Sequence, residues 1–300
     1  MALAGLTQGW VAKRLPPRPP RAHKGTFGRL LIVAGSLEYA GAALLTGLGA
    51  IRAGVGLACL ATPDAVGTRL LGLVPELTAM LLVEEAPGLT APAGWRRLAS
   101  EAPAYKAIVI GPGLGRQPAT LRRARNFIGE LRLPTVVDAD ALSALAGVQR
   151  WWQPIHAPLV LTPHVGEFSR LVRLPEGELL ADDDETRADA ARGAAARWRQ
   201  VVVLKGAHTV IASPDGDLLL SDIATPALAT AGSGDVLAGA IGAFLAAGLT
   251  PFDAAGCGVA VHGAAGLLAE DRIGRAGVVA RDIANLLPNA IEQLRDSRRA

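Results

Sequence analysis

The chain of 300 residues contains two cysteines, Cys59 and Cys257, far apart and in no CxxC pair. That excludes a disulfide framework and a thiolate zinc site. Long apolar runs are missing too, since no stretch reaches the ~18 uninterrupted apolar residues that a membrane-spanning helix needs. The two longest candidates, 236–250 and 254–269, stop at Pro251 and Asp253 or contain His262, and they read as Ala/Gly-rich core helices. No secretory leader opens the chain, so a cytoplasmic protein is expected, with no membrane partner. Lysine is scarce, at four residues, and the net charge of +3 comes largely from clusters at 13–24 and 295–299. Solvated termini explain that excess, and nucleic acid is not an expected partner. There is no HExxH, no pair of histidines at helical spacing and no Ser/His/Asp order of the hydrolase kind. A metal held by protein ligands alone is not expected.

What is present is the alternation of buried strands with Ala-rich helices. LLIVAG from Leu30, VGLACLA from Val55, AIVIG from Ala107, TVVDAD from Thr135 and PLVLTPH from Pro158 are short apolar runs. Helices are expected at 42–53, 120–131 and 184–198. Runs of this kind between helices predict a mainly parallel sheet covered on both faces, a three-layer α/β/α fold. VVVLKG, HTVIAS, the turn PDGD and LLLSD then predict an antiparallel hairpin at the sheet edge, because Asp and Gly both suit a tight turn. Helices at 233–247, 253–268 and 281–294 close the chain. PPRPP at 16–20 cannot donate backbone hydrogen bonds, so residues 1–23 are expected as an extended arm and 24–300 as one domain.

Several segments could carry chemistry. Ala231-Gly-Ser-Gly-Asp235 precedes an apolar helix; its small residues and helix amides suit a phosphate, with Asp235 at the mouth. An N-cap made by Ser233 or Asp235 is the alternative. GPGLG at 111–115 follows a strand, where ligands of open α/β sheets sit, but its spacing is not GxGxxG. It is either a close approach to a ligand or a tight turn. AGSLEYAGAALL at 34–45 leads from a strand into a helix and could admit a flat substrate close to the backbone, or simply pack densely. LTPHVGE sets His164 and Glu167 at a strand end, as a substrate contact or as a capping His with a solvated Glu. VLKGAHT offers Lys205 and turn amides to an adenine or a diphosphate.

The order of these segments, HKGTFGRLLIVAGS, YAGAALL, IGPGLG, VVDADAL, LTPHVGEFSRL, VVVLKGAHTVIASPDG and ATAGSGDVLAGAIGAFLAAGL, resembles the NAD(P)H-hydrate dehydratase family, of ribokinase-like fold. The resemblance runs from about His23 to about Leu268. It implies a hydro-lyase that repairs hydrated NADH and NADPH by phosphorylating the ring hydroxyl and eliminating phosphate. ADP is the implied co-substrate, giving AMP, with Mg2+ arriving on the nucleotide. Carried over by position, Gly232, Ser233, Gly234 and Asp235 form the anion hole and base. Ala42, Gly113, His164 and Asp235 line the NAD(P)HX site. Lys205, Gly206, Ala207, His208, Thr209 and Gly234 bind the nucleotide. Ala231 stands where the family often has Gly, and Ser143 where Asn is frequent. The resemblance further implies a homotetramer, a stand-alone dehydratase and functional coupling to a separate NAD(P)HX epimerase. Two other readings stay open: a small-molecule kinase of the same fold, and a non-catalytic nucleotide sensor.

Overall fold

The computed structural model describes residues 4–70, 72–175, 177–181 and 183–296. In chain order these form β1 (Ala4–Gly5), α1 (Gln8–Ala12), β2 (Arg29–Val33), α2 (Ala40–Ala53), β3 (Leu57–Pro63), α3 (Asp64–Leu70) and β4 (Thr78–Leu82). A side hairpin, β5 (Glu84–Ala86) with β6 (Leu89–Thr90), leads to α4 (Pro92–Glu101), β7 (Ala107–Ile110), α5 (Pro118–Glu130) and β8 (Thr135–Val137). Then come α6 (Asp140–Ala146), β9 (Leu159–Leu161), α7 (Val165–Val172), α8 (Asp184–Trp198), β10 (Val201–Leu204), β11 (Val210–Ala212) and β12 (Leu218–Leu220). Three helices, α9 (Ser233–Ala246), α10 (Pro251–Ile273) and α11 (Ala280–Asp296), finish the fold.

Among the described residues the main sheet has ten strands in the order β1-β12-β11-β10-β9-β8-β7-β2-β3-β4. From β4 to β10 every pairing is parallel, and β10, β11 and β12 pair antiparallel. Strand residues alternate between two cores, as a two-residue period requires. Leu30, Ile32, Val109, Val136 and Val203 face α2, α9, α10 and α11. Leu31, Val33, Ile108, Val137 and Leu204 face the layer of α4 to α8. The architecture is three-layer α/β/α.

The hairpin after β10 forms, but it is not the sheet's edge, because β1 adds a parallel strand outside β12. The expected extended arm of residues 1–23 is therefore corrected over much of its length. Thr7 caps α1 by accepting from the Trp10 amide at 3.2 Å, and Leu6, Val11 and Leu15 are buried. Trp10 packs edge-on against Phe252, and Arg14 pairs with Asp253 at 2.7 Å, which ties this segment to α10. Apolar side chains at helical spacing outweigh the prolines that follow them. α10 is long and apolar enough to cross a membrane by length and composition, yet 72% of its apolar window is buried inside the fold.

The layer of α2 and α9 fixes the functional edge of the sheet. Both helices start at the carboxyl ends of the strands and approach backbone to backbone. A methyl on Gly239 would lie 2.0 Å from the Thr46 carbonyl oxygen, and one on Gly49 would lie 2.3 Å from the Val236 carbonyl oxygen. In an exposed helix Gly→Ala stabilises by up to ~1 kcal/mol. Here the sign reverses: Gly239→Ala is expected to lower stability by about 1–3 kcal/mol, the usual cost of overpacking. Urea denaturation checks it, and an unchanged or raised midpoint would contradict the close helix contact.

Candidate active site

Strands β2, β7, β8, β9 and β10 all deliver their next residues to one edge. After β8 the chain places Asp138, which is 2% exposed, and Asp140 around Ala139, whose φ of 49° and ψ of −118° are disfavoured for a residue with a side chain. This turn brings two carboxylates to the same edge. Lys205, at the end of β10, donates to Asp138 Oδ1 at 3.0 Å, and the Thr162 hydroxyl after β9 donates to the same oxygen at 2.8 Å. Asp140 accepts from the Gly115 amide at 2.9 Å and from Arg116 Nε at 3.2 Å. The ion pair resolves what the scarcity of lysine only hinted at. Burial opposes the Lys205 charge, but Asp138, Glu167 and Asp235 outweigh it and hold the ammonium above its ordinary pKa.

The GSGD segment opens α9 with Gly232 at the N-cap, at a φ of 85°, and no side chain caps the helix. Ser233 turns inward instead, its hydroxyl 3.1 Å from His262 Nε2. The Ser233 amide is taken by the Thr230 carbonyl at 3.2 Å, which leaves the amides of Gly234 and Asp235 to receive an anion. So the capping alternative is not what this loop does. Lys205 Nζ lies 3.3 Å from where a side chain on Gly234 would begin, which sets a cation beside these amides. Burial, then repulsion from Asp138, pushes the Asp235 carboxyl up to about 7, against the pull of Lys205 and with a further push from Asp140. At neutral pH this acid can both take and give a proton.

A cavity of about 680 Å³ runs from these groups, lined by His164, Lys205, Gly206, Ala207, Thr209, Ser233, Gly234 and His262, with Ile223, Pro226, Leu228 and Leu237 as its apolar wall. One end carries Lys205 and the start of α9, and the other is apolar. His164 serves two purposes, since its Nδ1 accepts from the Gly166 amide at 3.0 Å as the cap of α7 while the ring lines the cavity. Its partner Glu167 is buried, not solvated, and accepts from the His164 amide at 3.0 Å. Burial holds His164 below its ordinary pKa, so it is neutral at pH 7. His208 stands apart from the cavity lining, with Nδ1 2.8 Å from Asp184 Oδ2. Ala42 and Gly113 lie outside the cavity lining and meet each other, since a methyl on Gly113 would lie 2.9 Å from Ala42 Cβ. All three glycines of GPGLG have positive φ, at 130°, 62° and 82°, so this segment is a forced turn, packed closely on Tyr39 and Ala42.

Sequence reading passed over four contributors. Asp138 and Asp140 sat inside a quoted segment without a role, and the DAD spacing after an apolar strand was their signal. His262 looked only like a polar break in an apolar run. Burial drives its pKa to about 4, and its Nε2 lies 3.0 Å from the Ser233 carbonyl oxygen, so a neutral ring pins the start of α9. Arg187, buried on α8, donates to the Leu204 carbonyl at 3.1 Å and fills the space a side chain on Gly206 would need. Among the described residues no three His, Cys, Asp or Glu side chains converge as a metal site.

The Asp235 environment has a thermodynamic consequence. A carboxyl raised from near 4 unfolded to about 7 folded binds more protons in the folded state across that window, so stability falls as pH rises through it. Asp235→Asn removes the ionised form. It is expected to stabilise the protein by about 1–3 kcal/mol at pH 8 and by little at pH 4, measured by urea denaturation. A variant less stable than the parent at pH 8 would show that Asp235 is not raised.

A profile of the NAD(P)H-hydrate dehydratase family matches residues 30–289. Relatives include the bifunctional NAD(P)H-hydrate repair enzyme of Moorella thermoacetica, 40% identical over 97% of this chain and 54% of that protein. The ADP-dependent (S)-NAD(P)H-hydrate dehydratase of Xanthomonas campestris pv. campestris is 38% identical over 95% of each chain. The chain thus spans about half the length of its bifunctional relatives and nearly all of the other. The structure aligns with an ADP/ATP-dependent NAD(P)H-hydrate dehydratase from Bacillus subtilis, co-crystallised with ATP and Mg2+, at a TM-score of 0.84 and 34% identity over 98% of this chain and 99% of that one. A ribokinase-like superfamily protein from Enterococcus faecalis, 23% identical with a TM-score of 0.79 over 97% of this chain and 96% of its own, shares the fold. A profile match across the fold, near-full-length relatives and these alignments make this chain a member of the NAD(P)H-hydrate dehydratase family, on the ribokinase-like fold.

Proposed function

We propose that this chain is an ADP-dependent (S)-NAD(P)H-hydrate dehydratase, a hydro-lyase that restores NADH and NADPH from their hydrates. The observation that carries the reading is the uncapped start of α9, with free amides and a carboxyl near neutrality in one loop and the Lys205 ammonium beside it. A nucleotide would lay its base along the apolar wall and its diphosphate against Gly234 and Lys205. His164, Gly206, Ala207 and Thr209 border the same cavity, which supports their nucleotide or substrate roles. His208 would act by holding its turn against α8 through Asp184.

A ring hydroxyl is a poor leaving group, and phosphorylation makes it a good one. Asp235 accepts the hydroxyl proton while the oxygen attacks the β-phosphorus of ADP, and the bond between phosphorus and AMP breaks. The Gly234 and Asp235 amides and Lys205 stabilise the charge on the transferring group. The ring nitrogen then expels phosphate, the adjacent ring carbon loses a proton, and NAD(P)H remains. Lys205 and Thr162 share one oxygen of Asp138, and both oxygens of Asp140 are engaged by Gly115 and Arg116, so a Mg2+ ion would be held chiefly by the nucleotide's phosphates, with Asp138 the nearest carboxylate to assist. Such an ion would neutralise diphosphate charge.

A homotetramer, an epimerase partner that supplies the S hydrate, and a cytoplasmic setting belong to the same proposal. Relatives named as bifunctional repair enzymes support the coupling, and two free buried cysteines suit a reducing compartment. A small-molecule kinase of this fold would use the same anion hole, and the named relatives favour the dehydratase.

Absorbance of NADH, with phosphate release followed in parallel, tests the reading. NADH is expected from (S)-NADHX and Mg2+ with ADP and not without nucleotide. ATP in its place would change the donor, and a stable phosphorylated product without NADH would favour the kinase. Asp235→Ala is expected to slow turnover ~10²–10⁴-fold. The wild-type kcat/KM is expected to rise with pH to a plateau above about 7, as the base loses its proton. A flat profile from pH 5 to 9 would remove Asp235 as the base.

A further inference from the structure

The cavity reaches Gly234, one residue before Asp235, and a second group of segments packs around the start of α9. Gly232 packs on Leu45 of α2, one turn beyond Ala42, and Ala42 and Tyr39 border Gly113. The same loop continues to Gly115 and Arg116, which hold Asp140. An acceptor in line with a phosphate at Gly234 enters here. It is a dinucleotide, so it brings two phosphates to an edge already carrying Asp138, Asp140 and Asp235. Lys205 stands beside Gly234, on the nucleotide side, where the proposed reaction already uses it.

Three features on this side are built to receive an anion. The Arg116 side chain is 73% exposed and is bound to Asp140 through Nε alone at 3.2 Å, so the rest of its fork is open to a ligand. Ser36 Oγ is buried without a hydrogen-bond partner and lies beside Gly115. α2 begins at Tyr39 with no side-chain cap, and a side chain on Gly41, in its first turn, would meet open space. The Tyr39 ring, 54% exposed, stands next to these groups. Together they give a cation, an orphan hydroxyl and helix amides on two segments that touch through Gly113 with Tyr39 and Gly115 with Ser36.

We infer that Arg116, with Ser36 and the first turn of α2, binds the pyrophosphate of the dinucleotide hydrate and so positions its nicotinamide ring at Asp235. This rests on the dehydratase reading. In it Arg116 is a positioning residue, acting on substrate affinity rather than on the chemical step. Asp140 stays anchored by the Gly115 amide when Arg116 is changed, so the two roles separate.

The test uses the whole chain and two ligands that share the reduced nicotinamide ring, NADH and the phosphate-free reduced nicotinamide riboside. Binding is followed by nicotinamide fluorescence for the wild type, Arg116→Gln, Arg116→Lys and Ser36→Ala. Arg116→Gln is expected to weaken NADH about 10–100-fold, the scale of a charge-assisted contact, with Arg116→Lys recovering part of it and Ser36→Ala losing several-fold. The riboside affinity, the KM for ADP and the melting temperature stay within about 2-fold or 2 °C of wild type, as for any largely exposed side chain. Undiminished NADH binding, or equal weakening of NADH and riboside, overturns the assignment. Failure of the dehydratase reading shows differently, as a wild-type protein that makes no NADH from the hydrate with either nucleotide.

Discussion

The pairing of Lys205 with Asp138 is the constraint on which the site depends. Asp138, Asp140, Glu167 and Asp235 gather where five strands end, with the Lys205 ammonium on Asp138 and Arg116 on Asp140. Each cation is paired with another carboxylate, which leaves Asp235 poorly compensated. That imbalance keeps a carboxyl near neutrality in a place where a proton has to be taken from a hydroxyl. A cation paired directly with Asp235 would make the site more stable and Asp235 a weaker base.

The scaffold supports this arrangement from three directions. From below, Arg187 fills the space under Gly206 and fixes the turn that carries Lys205. From behind, the neutral ring of His262 holds the Ser233 carbonyl and keeps the serine from capping α9. From the side, Gly49 and Gly239 let α2 and α9 touch backbone to backbone, so the two helix starts that frame Asp235 keep a fixed separation. Helix amides that in most loops are satisfied by a side chain stay available because each nearby side chain is engaged elsewhere.

Much of the fold is legible in the residues. Leu30–Val33 and Ala107–Ile110 are apolar on both faces, as a covered parallel sheet requires, and the SPDG turn marks the hairpin. What was not legible was decided at distance. Leu6, Val11 and Leu15 gain meaning only when α10 and β12 provide a surface for them, and the conspicuous PPRPP draws attention away from that pattern. In the site, GSGD, KGAHT and LTPHVGE were visible because small residues and caps leave local signatures. His262 leaves none and Asp138 only the DAD spacing, because their partners Ser233 and Lys205 lie 29 and 67 residues away. Of the two readings of His164, the structure contains the cap, with Glu167 buried rather than solvated, and sets the ring on the cavity wall.

The central claim, that an under-compensated carboxyl serves as the base, is open to direct observation. Infrared difference spectroscopy of the ligand-free protein, with Asp235→Asn as the reference, isolates the protonated-carboxyl band of Asp235 during a pH titration. A midpoint close to 7 that falls in Asp140→Asn, where a repelling charge is gone, is the predicted result. A midpoint near 4, the same in both proteins, would contradict the account.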